Sequence, residues 1–494
     1  MKKQTFIEVV HNAPMLRAFG TFRHRAFALT LAALLAASAC TSVSPSPTLP
    51  VSSVPPAPTA THGPTATALS GTPAPSPTAQ VVNGSPSPTS TPQSTSSGPS
   101  ATPGSTGAQT PLPTIDPAVA AQIDQITAQV PPIRELQPTK DVPYQEISRD
   151  DFTRYLESQA SQDTTPTWQA AEERFLKRLG LLPQDSDLSQ LLLQLYSGEV
   201  AAYYEPTNGT FYLIETGQPF GPADKVTVAH EYTHALQDQH FDLEGNRIKD
   251  PAEGDAAEAQ LSVIEGDATM TSQLWMIQNM SEAEQAQLLT QALGELNTDQ
   301  LASMPTILRR QLEFPYAEGF LFVRDVYGLG GYDAVDQAIQ TPPASTEQIL
   351  HSDKYYSHEA PVQVTLPDLT SNLGSGWSNV YQQTMGELNI QVLAAGGETP
   401  AVNIPGLPVP WPHQEVAAGW GGDRLNMYES SDGSQWLIDW QTAWDTQADA
   451  DEFTARMNEL TSTFQGSLRM IQGPQTVEFV LASDPSLFLD LPSG

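Results

Sequence analysis

The stretch HEYTHALQDQH, residues 230–240, packs three histidines and a glutamate into one short segment. It closes a run whose composition predicts a helix over 223–240, with Val226, Val228, Ala229, Tyr232, Ala235 and Leu236 supplying apolar packing. On such a helix His230 and His234 stand one above the other on a single face. Two imidazoles at that spacing can share one zinc ion. Glu231 is one step round the helix, placed to meet a water beside the ion rather than the ion itself. Zinc lowers the pKa of a bound water, and a neighbouring carboxylate can take its proton as the water attacks a carbonyl.

Two imidazoles leave a tetrahedral site incomplete, so the third ligand decides the reading. His240 has the spacing of the metzincin pattern, His-Glu-x-x-His-x-x-Gly-x-x-His, but Gln237 stands where that pattern has its glycine. Without the glycine, ALQDQ continues as helix, since Ala, Leu and Gln all favour it. His240 then points about 120° away from the His234 direction, off the metal face. It is expected to cap or pack the helix end.

The other source of a ligand is the next helical stretch, EGDAAEAQLSVIEGDATM (253–270). Glu258 and Glu265 are seven apart and share a face. Glu265 sits among Val263, Ile264 and Ala268, where an unpaired carboxylate would be costly. Glu265 is the expected third ligand, with Glu258 as the alternative. Gly266 and Ala268 permit close helix approach. Asp267 or Asp255 are candidates to orient a ligating histidine from outside the coordination sphere.

Several motifs now stand in order: HEYTHALQDQHFDL, VIEGDAT, FPYAEGFLFV (314–323) and PPASTEQILHSDKY (342–355). Together they resemble a group of bacterial extracytoplasmic gluzincin-like metallopeptidases, many of them lipoproteins. The resemblance spans about 195–360 and continues into VAAGWGGDRLNMYES (416–430). It implies Zn2+ as cofactor, a downstream glutamate as third ligand, which falls on Glu265, and a peptide or protein substrate. Thermolysin-like members carry an aspartate four residues after that glutamate; here the position is Thr269. Ser345 and Gln348 read as a capping box. His351 and Tyr316 are candidates to donate to the oxyanion formed at a scissile carbonyl. The strand around Tyr203–Glu205 is a candidate edge for an extended peptide.

The N-terminus sets the expected location. Lys2, Lys3, Arg17, Arg23 and Arg25 precede AFALTLAALLAASA (26–39), an apolar run too short to span a bilayer comfortably. It ends in Ala37-Ser38-Ala39-Cys40, which resembles a bacterial lipoprotein signal, so Cys40 is the expected lipidation site. The alternative is an ordinary signal peptide. Cys40 is the single cysteine, so no disulfide forms within one chain. Residues 1–39 read as this signal. Residues 40–113, rich in Ser, Thr, Pro, Ala and Gly and lacking charged side chains, read as a disordered, semi-stiff spacer. The expected product is membrane-anchored or secreted outside the cytoplasmic membrane.

With 22 Lys and Arg against 56 Asp and Glu, the chain has a net charge of −34. That argues against nucleic acid or an anionic membrane face as the main partner, since both need a basic footprint. No nucleotide-binding loop, nucleophilic Ser or Cys motif or internal repeat is present.

The expected fold class is α+β. Residues 114–364 read as a mainly helical, zincin-like domain, with a hairpin in VAAYYEPTNGTFYLIE (200–215) turning at Asn208-Gly209. Residues 365–494 read as a smaller α+β domain, with strands in LNMYES, QWLIDWQTAW and TVEFVLA and a helix in DADEFTARMNEL. The expected function is zinc-dependent peptide-bond hydrolysis with Glu231 as base. Two alternatives are a catalytically silent zinc-containing lipoprotein that binds peptide or envelope polymer, and a C-terminal binding module carried on a peptidase-like scaffold.

Overall fold

The computed structural model describes residues 115–163, 166–295, 303–400, 410–489 and 491. The signal read over 1–39, Cys40 and the spacer read over 40–113 lie outside these residues. No helix among the described residues is long and apolar enough to cross a membrane.

Helix α1 (Pro117–Arg134) opens on Asp116, whose carboxylate accepts from Ala118 N at 2.7 Å, and stops where Glu135 turns left-handed. Strand β1 (Tyr144–Ile147) follows, then α2 (Arg149–Asp163), α3 (Pro166–Arg178) and α4 (Leu188–Glu199). Strands β2 (Ala202–Glu205) and β3 (Thr210–Ile214) form the hairpin. Its loop is four residues long rather than a two-residue turn. Glu205 O accepts from Gly209 N at 2.8 Å, and Gly209 takes the positive φ of 67° that a side chain disfavours. β1 was not legible in the sequence: YQEI is short and does not alternate. It pairs parallel to β3, with Tyr144 opposite Phe211, giving a three-stranded sheet in the order β1-β3-β2.

The hairpin leads into α5 (Pro222–Phe241), and α6 (Gly254–Asn279) follows; α7 (Glu282–Glu295) comes next. α5 is buried on nearly every side from Val226 to Gln237. It packs against α1, α6 and β2, with Val226, Val228, Ala229, Ala235 and Leu236 in one apolar cluster beside Ile123, Ile126 and Phe211. Helix α8 (Thr306–Gln340) lies along α6. The contact is backbone to backbone, because Gly266 and Gly319 have no side chains to hold the helices apart. α8 turns at Gly330 (φ −150°, ψ 16°) and Gly331 (φ 66°, ψ −157°), both non-helical, so Tyr332 to Gln340 run in a new direction. The short helices α9 (Thr346–Leu350) and α10 (Ser352–Tyr356) follow. Ser345 caps α9, while the Gln348 side chain accepts from Ala344 N at 2.7 Å.

The C-terminal region is a mixed α+β arrangement built on a five-stranded antiparallel sheet. It comprises β4 (Trp377–Gln383), α11 (Gly386–Ala395), β5 (Trp420–Ser430), β6 (Trp436–Trp444), α12 (Gln447–Glu459), β7 (Ser467–Gln472) and β8 (Thr476–Ala482). The strand order is β4-β5-β6-β8-β7. Its core holds Trp440, Phe453 and Phe479, edge-to-face at 5.4 to 5.5 Å. The same apolar cluster takes in Phe175 of α3 and Ile307 and Leu308 of α8, so helices from the N-terminal half complete the core of the sheet.

Candidate metal centre

Three side-chain atoms converge between α5 and α6. His230 Nε2 and His234 Nε2 are 3.0 Å apart, and Glu265 Oε2 lies 3.1 Å from the first and 3.3 Å from the second. For a tetrahedral zinc with bonds of about 2.0–2.1 Å, ligand atoms stand about 3.3–3.4 Å from one another. The triangle therefore has the size of a tetrahedral footprint. All three side chains are fully buried. A Glu231 oxygen also lies within 4.8 Å of both imidazoles.

Local structure explains the convergence. The i, i+4 spacing stacks the imidazoles, whose rings meet edge to face at 4.6 Å. On α6, Gly266 faces α8, which leaves its neighbour Glu265 turned toward α5. Glu258, the alternative acid, is buried two turns earlier.

The electrostatics call for positive charge. Burial opposes a charge on His234, but the Glu265 carboxylate and then Glu231 and Gln237 push its pKa up to about 9. Burial likewise opposes a charge on Glu265, yet the two histidines hold its carboxyl well below the usual range. A site that stabilises both a carboxylate and an added proton in the protein interior also suits a cation coordinated by the same atoms.

His234 Nδ1 lies 2.8 Å from Gln237 Oε1. The Gln237 amide nitrogen donates to Asp267 Oδ2 at 2.8 Å and to Ile264 O at 3.0 Å. Of the two candidate orienting acids, Asp267 thus reaches a histidine through Gln237. Asp255 is engaged elsewhere, accepting from Thr346 Oγ1 at 2.5 Å.

The remaining candidates separate. Tyr316 is fully buried and its ring stacks beside His230, centroids 6.1 Å apart. His351 pairs instead with Glu387 on α11, Nε2 to Oε1 3.1 Å, which pulls its pKa up. His240 is exposed and its Nε2 donates to Gln137 O at 2.8 Å. The β2 segment Tyr203–Glu205 is buried, and Tyr204 donates to Asp238 on α5 at 2.8 Å. Cys40 lies outside the described residues.

In the sequence Gln237 stands out only as a departure from the metzincin glycine and as a helix former. The available signal was its position three residues after His234, on a shared helix face. Arg134, which anchors Asp267, carried no comparable signal.

A family model described as a domain of unknown function, DUF8575, matches residues 375–485. That range covers the five-stranded sheet and leaves out α5 and α6. No match was found among curated proteins or solved structures.

Proposed function

We propose that this chain is a zinc-dependent metallopeptidase of gluzincin-like character. The observation that carries the reading is the triangle of His230 Nε2, His234 Nε2 and Glu265 Oε2 with edges of 3.0 to 3.3 Å, beside the carboxylate of Glu231. His230, His234 and Glu265 would hold the ion. When bound, zinc supplies Lewis acidity, acidifying water and polarising the scissile carbonyl. Glu231 takes the proton from the attacking water and delivers it to the leaving amine nitrogen. Of the two candidate oxyanion donors the contacts favour Tyr316, stacked beside His230; His351 is held by Glu387. The zincin-like reading of the N-terminal half belongs to this proposal, as do a peptide or protein substrate and an extracytoplasmic location with a lipid anchor at Cys40.

The test is a pair of measurements on purified protein. Wild type is expected to hold about one equivalent of zinc and to cleave an unstructured protein such as casein. Glu231→Gln is expected to hold the same zinc and to lose cleavage. Zinc-free wild type, or cleavage undiminished in Glu231→Gln, overturns the reading.

One observation favours a second reading. His230, Glu231, His234 and Glu265 all have no solvent exposure, and structural zinc sites are closed where catalytic ones keep a position open. A catalytically silent, zinc-containing protein that binds peptide or envelope polymer fits that burial. It predicts bound zinc with no cleavage in wild type.

A further inference from the structure

Gln237 has only one orientation open to it. Its two close neighbours on the nitrogen side, Asp267 Oδ2 and Ile264 O, are acceptors and cannot donate. The amide nitrogen must face them, so the amide oxygen must face His234. His234 Nδ1, at 2.8 Å from that oxygen, must then carry hydrogen. In the neutral ring that metal ligation requires, His234 Nε2 then carries the electron pair, directed at the point where His230 Nε2 and Glu265 Oε2 also converge.

Asp267 is itself held. Arg134, fully buried at the last position of α1, donates from Nε to Asp267 Oδ2 at 2.7 Å and from Nη2 to Asp336 at 2.5 Å. Its guanidinium lies over the Tyr332 ring, 4.4 Å from the centroid, and the Tyr332 hydroxyl meets Thr271 of α6 at 3.3 Å. Asp336 and Tyr332 reach this position because α8 turns at Gly330 and Gly331. The guanidinium's planar fork fixes direction as well as charge, which a lysine does not reproduce.

We propose that Gln237 is a positioning residue that fixes His234 as the Nδ1–H tautomer, and that Arg134, acting through Asp267, holds Gln237 in that role. The inference rests on the metal-site reading above. It assigns a function to α1 and to the segment after the turn in α8, neither of which contributes a ligand. The histidine-orienting partner is a neutral amide fixed by a buried ion pair, rather than a carboxylate touching the imidazole.

The experiment uses the full chain and cobalt(II) as the probe, read by its visible ligand-field spectrum and by titration. In Gln237→Met, which keeps volume and helix propensity while removing both hydrogen-bonding ends, cobalt affinity is expected to fall about 10- to 100-fold, with a changed spectrum. Arg134→Lys is expected to show a smaller loss of the same kind. Adding Arg134→Lys to Gln237→Met is expected to cost little more, because Arg134 acts through the residue already removed. Cobalt affinity and spectrum unchanged in Gln237→Met overturn the positioning role while leaving the metal site standing. Additive losses in the double variant overturn the role of Arg134. Wild type that takes up no cobalt overturns this inference together with the reading beneath it.

Discussion

Gly266 on α6 and Gly319 on α8 meet without side chains between them. A Cβ on Gly266 would stand 2.3 Å from Gly319 O, and one on Gly319 would stand 2.3 Å from Ser262 O. Neither backbone can yield without separating the helices. Gly266→Ala and Gly319→Ala are each expected to destabilise the fold by about 1–3 kcal/mol or more. Because Glu265 is the neighbour of Gly266, Gly266→Ala should also weaken metal uptake. Urea denaturation and metal titration of the two variants check this; wild-type stability in both would show that the helices can part freely.

On the proposed zinc reading Glu265 and Glu258 are the two candidates for third ligand, and the contacts of Glu265 with His230 and His234 favour Glu265. Glu265→Ala is expected to abolish zinc retention through gel filtration, and Glu258→Ala to leave it in place. Ligand binding to the folded state stabilises it by mass action. Chelator should therefore lower the melting temperature of wild type and leave that of Glu265→Ala unmoved. Calorimetry with and without EDTA measures both.

Several buried carboxyls give the fold a pH dependence away from the candidate metal centre. Burial, with Asp423 and Glu347 adding repulsion against the hydrogen bonds from Thr346, pushes the Asp255 pKa up to about 8. Burial raises Asp439 to about 7, with Glu478 contributing. In the unfolded chain both titrate near an ordinary carboxyl value of about 4. The folded state thus holds protons that the unfolded state has released. That contribution is complete below about pH 4 and is lost as pH rises through about 7 to 8. Over pH 6 to 9 stability is expected to fall with rising pH, with a shallower slope in Asp255→Asn. Denaturant melts across that range decide it, and an identical slope in the variant would assign the effect to other groups.

Asp423 collects four donors: Met385 N at 2.9 Å, Gly386 N at 3.0 Å, Trp420 Nε1 at 2.9 Å and Trp440 Nε1 at 3.0 Å. Asp423→Ala would strand these groups in the interior, at about 1–3 kcal/mol for each one left unsatisfied. The variant is expected to unfold at markedly lower urea, with Asp423→Asn intermediate because one oxygen remains to accept. Tryptophan fluorescence follows the transition directly, since two of the donors are indoles.

What the sequence by itself determined is local. The composition of 223–240 marks a helix, and the spacing of four stacks His230 on His234; the structure has that helix from Pro222 to Phe241. The alternating run 200–215 marks β2 and β3, the stretches LNMYES, QWLIDWQTAW and TVEFVLA mark β5, β6 and β8, and Asn208-Gly209 marks a turn, though not its length. Side-chain direction within one helix or strand follows from backbone geometry, so such features are written in adjacent residues. The tertiary structure decided the rest. It turned Glu265 toward the imidazoles through a glycine contact between helices, and it paired the unpatterned β1 with β3. It also brought Arg134 to Asp267 across 133 positions of chain. Those outcomes depend on which surfaces pack together, and no periodicity within a single segment records that.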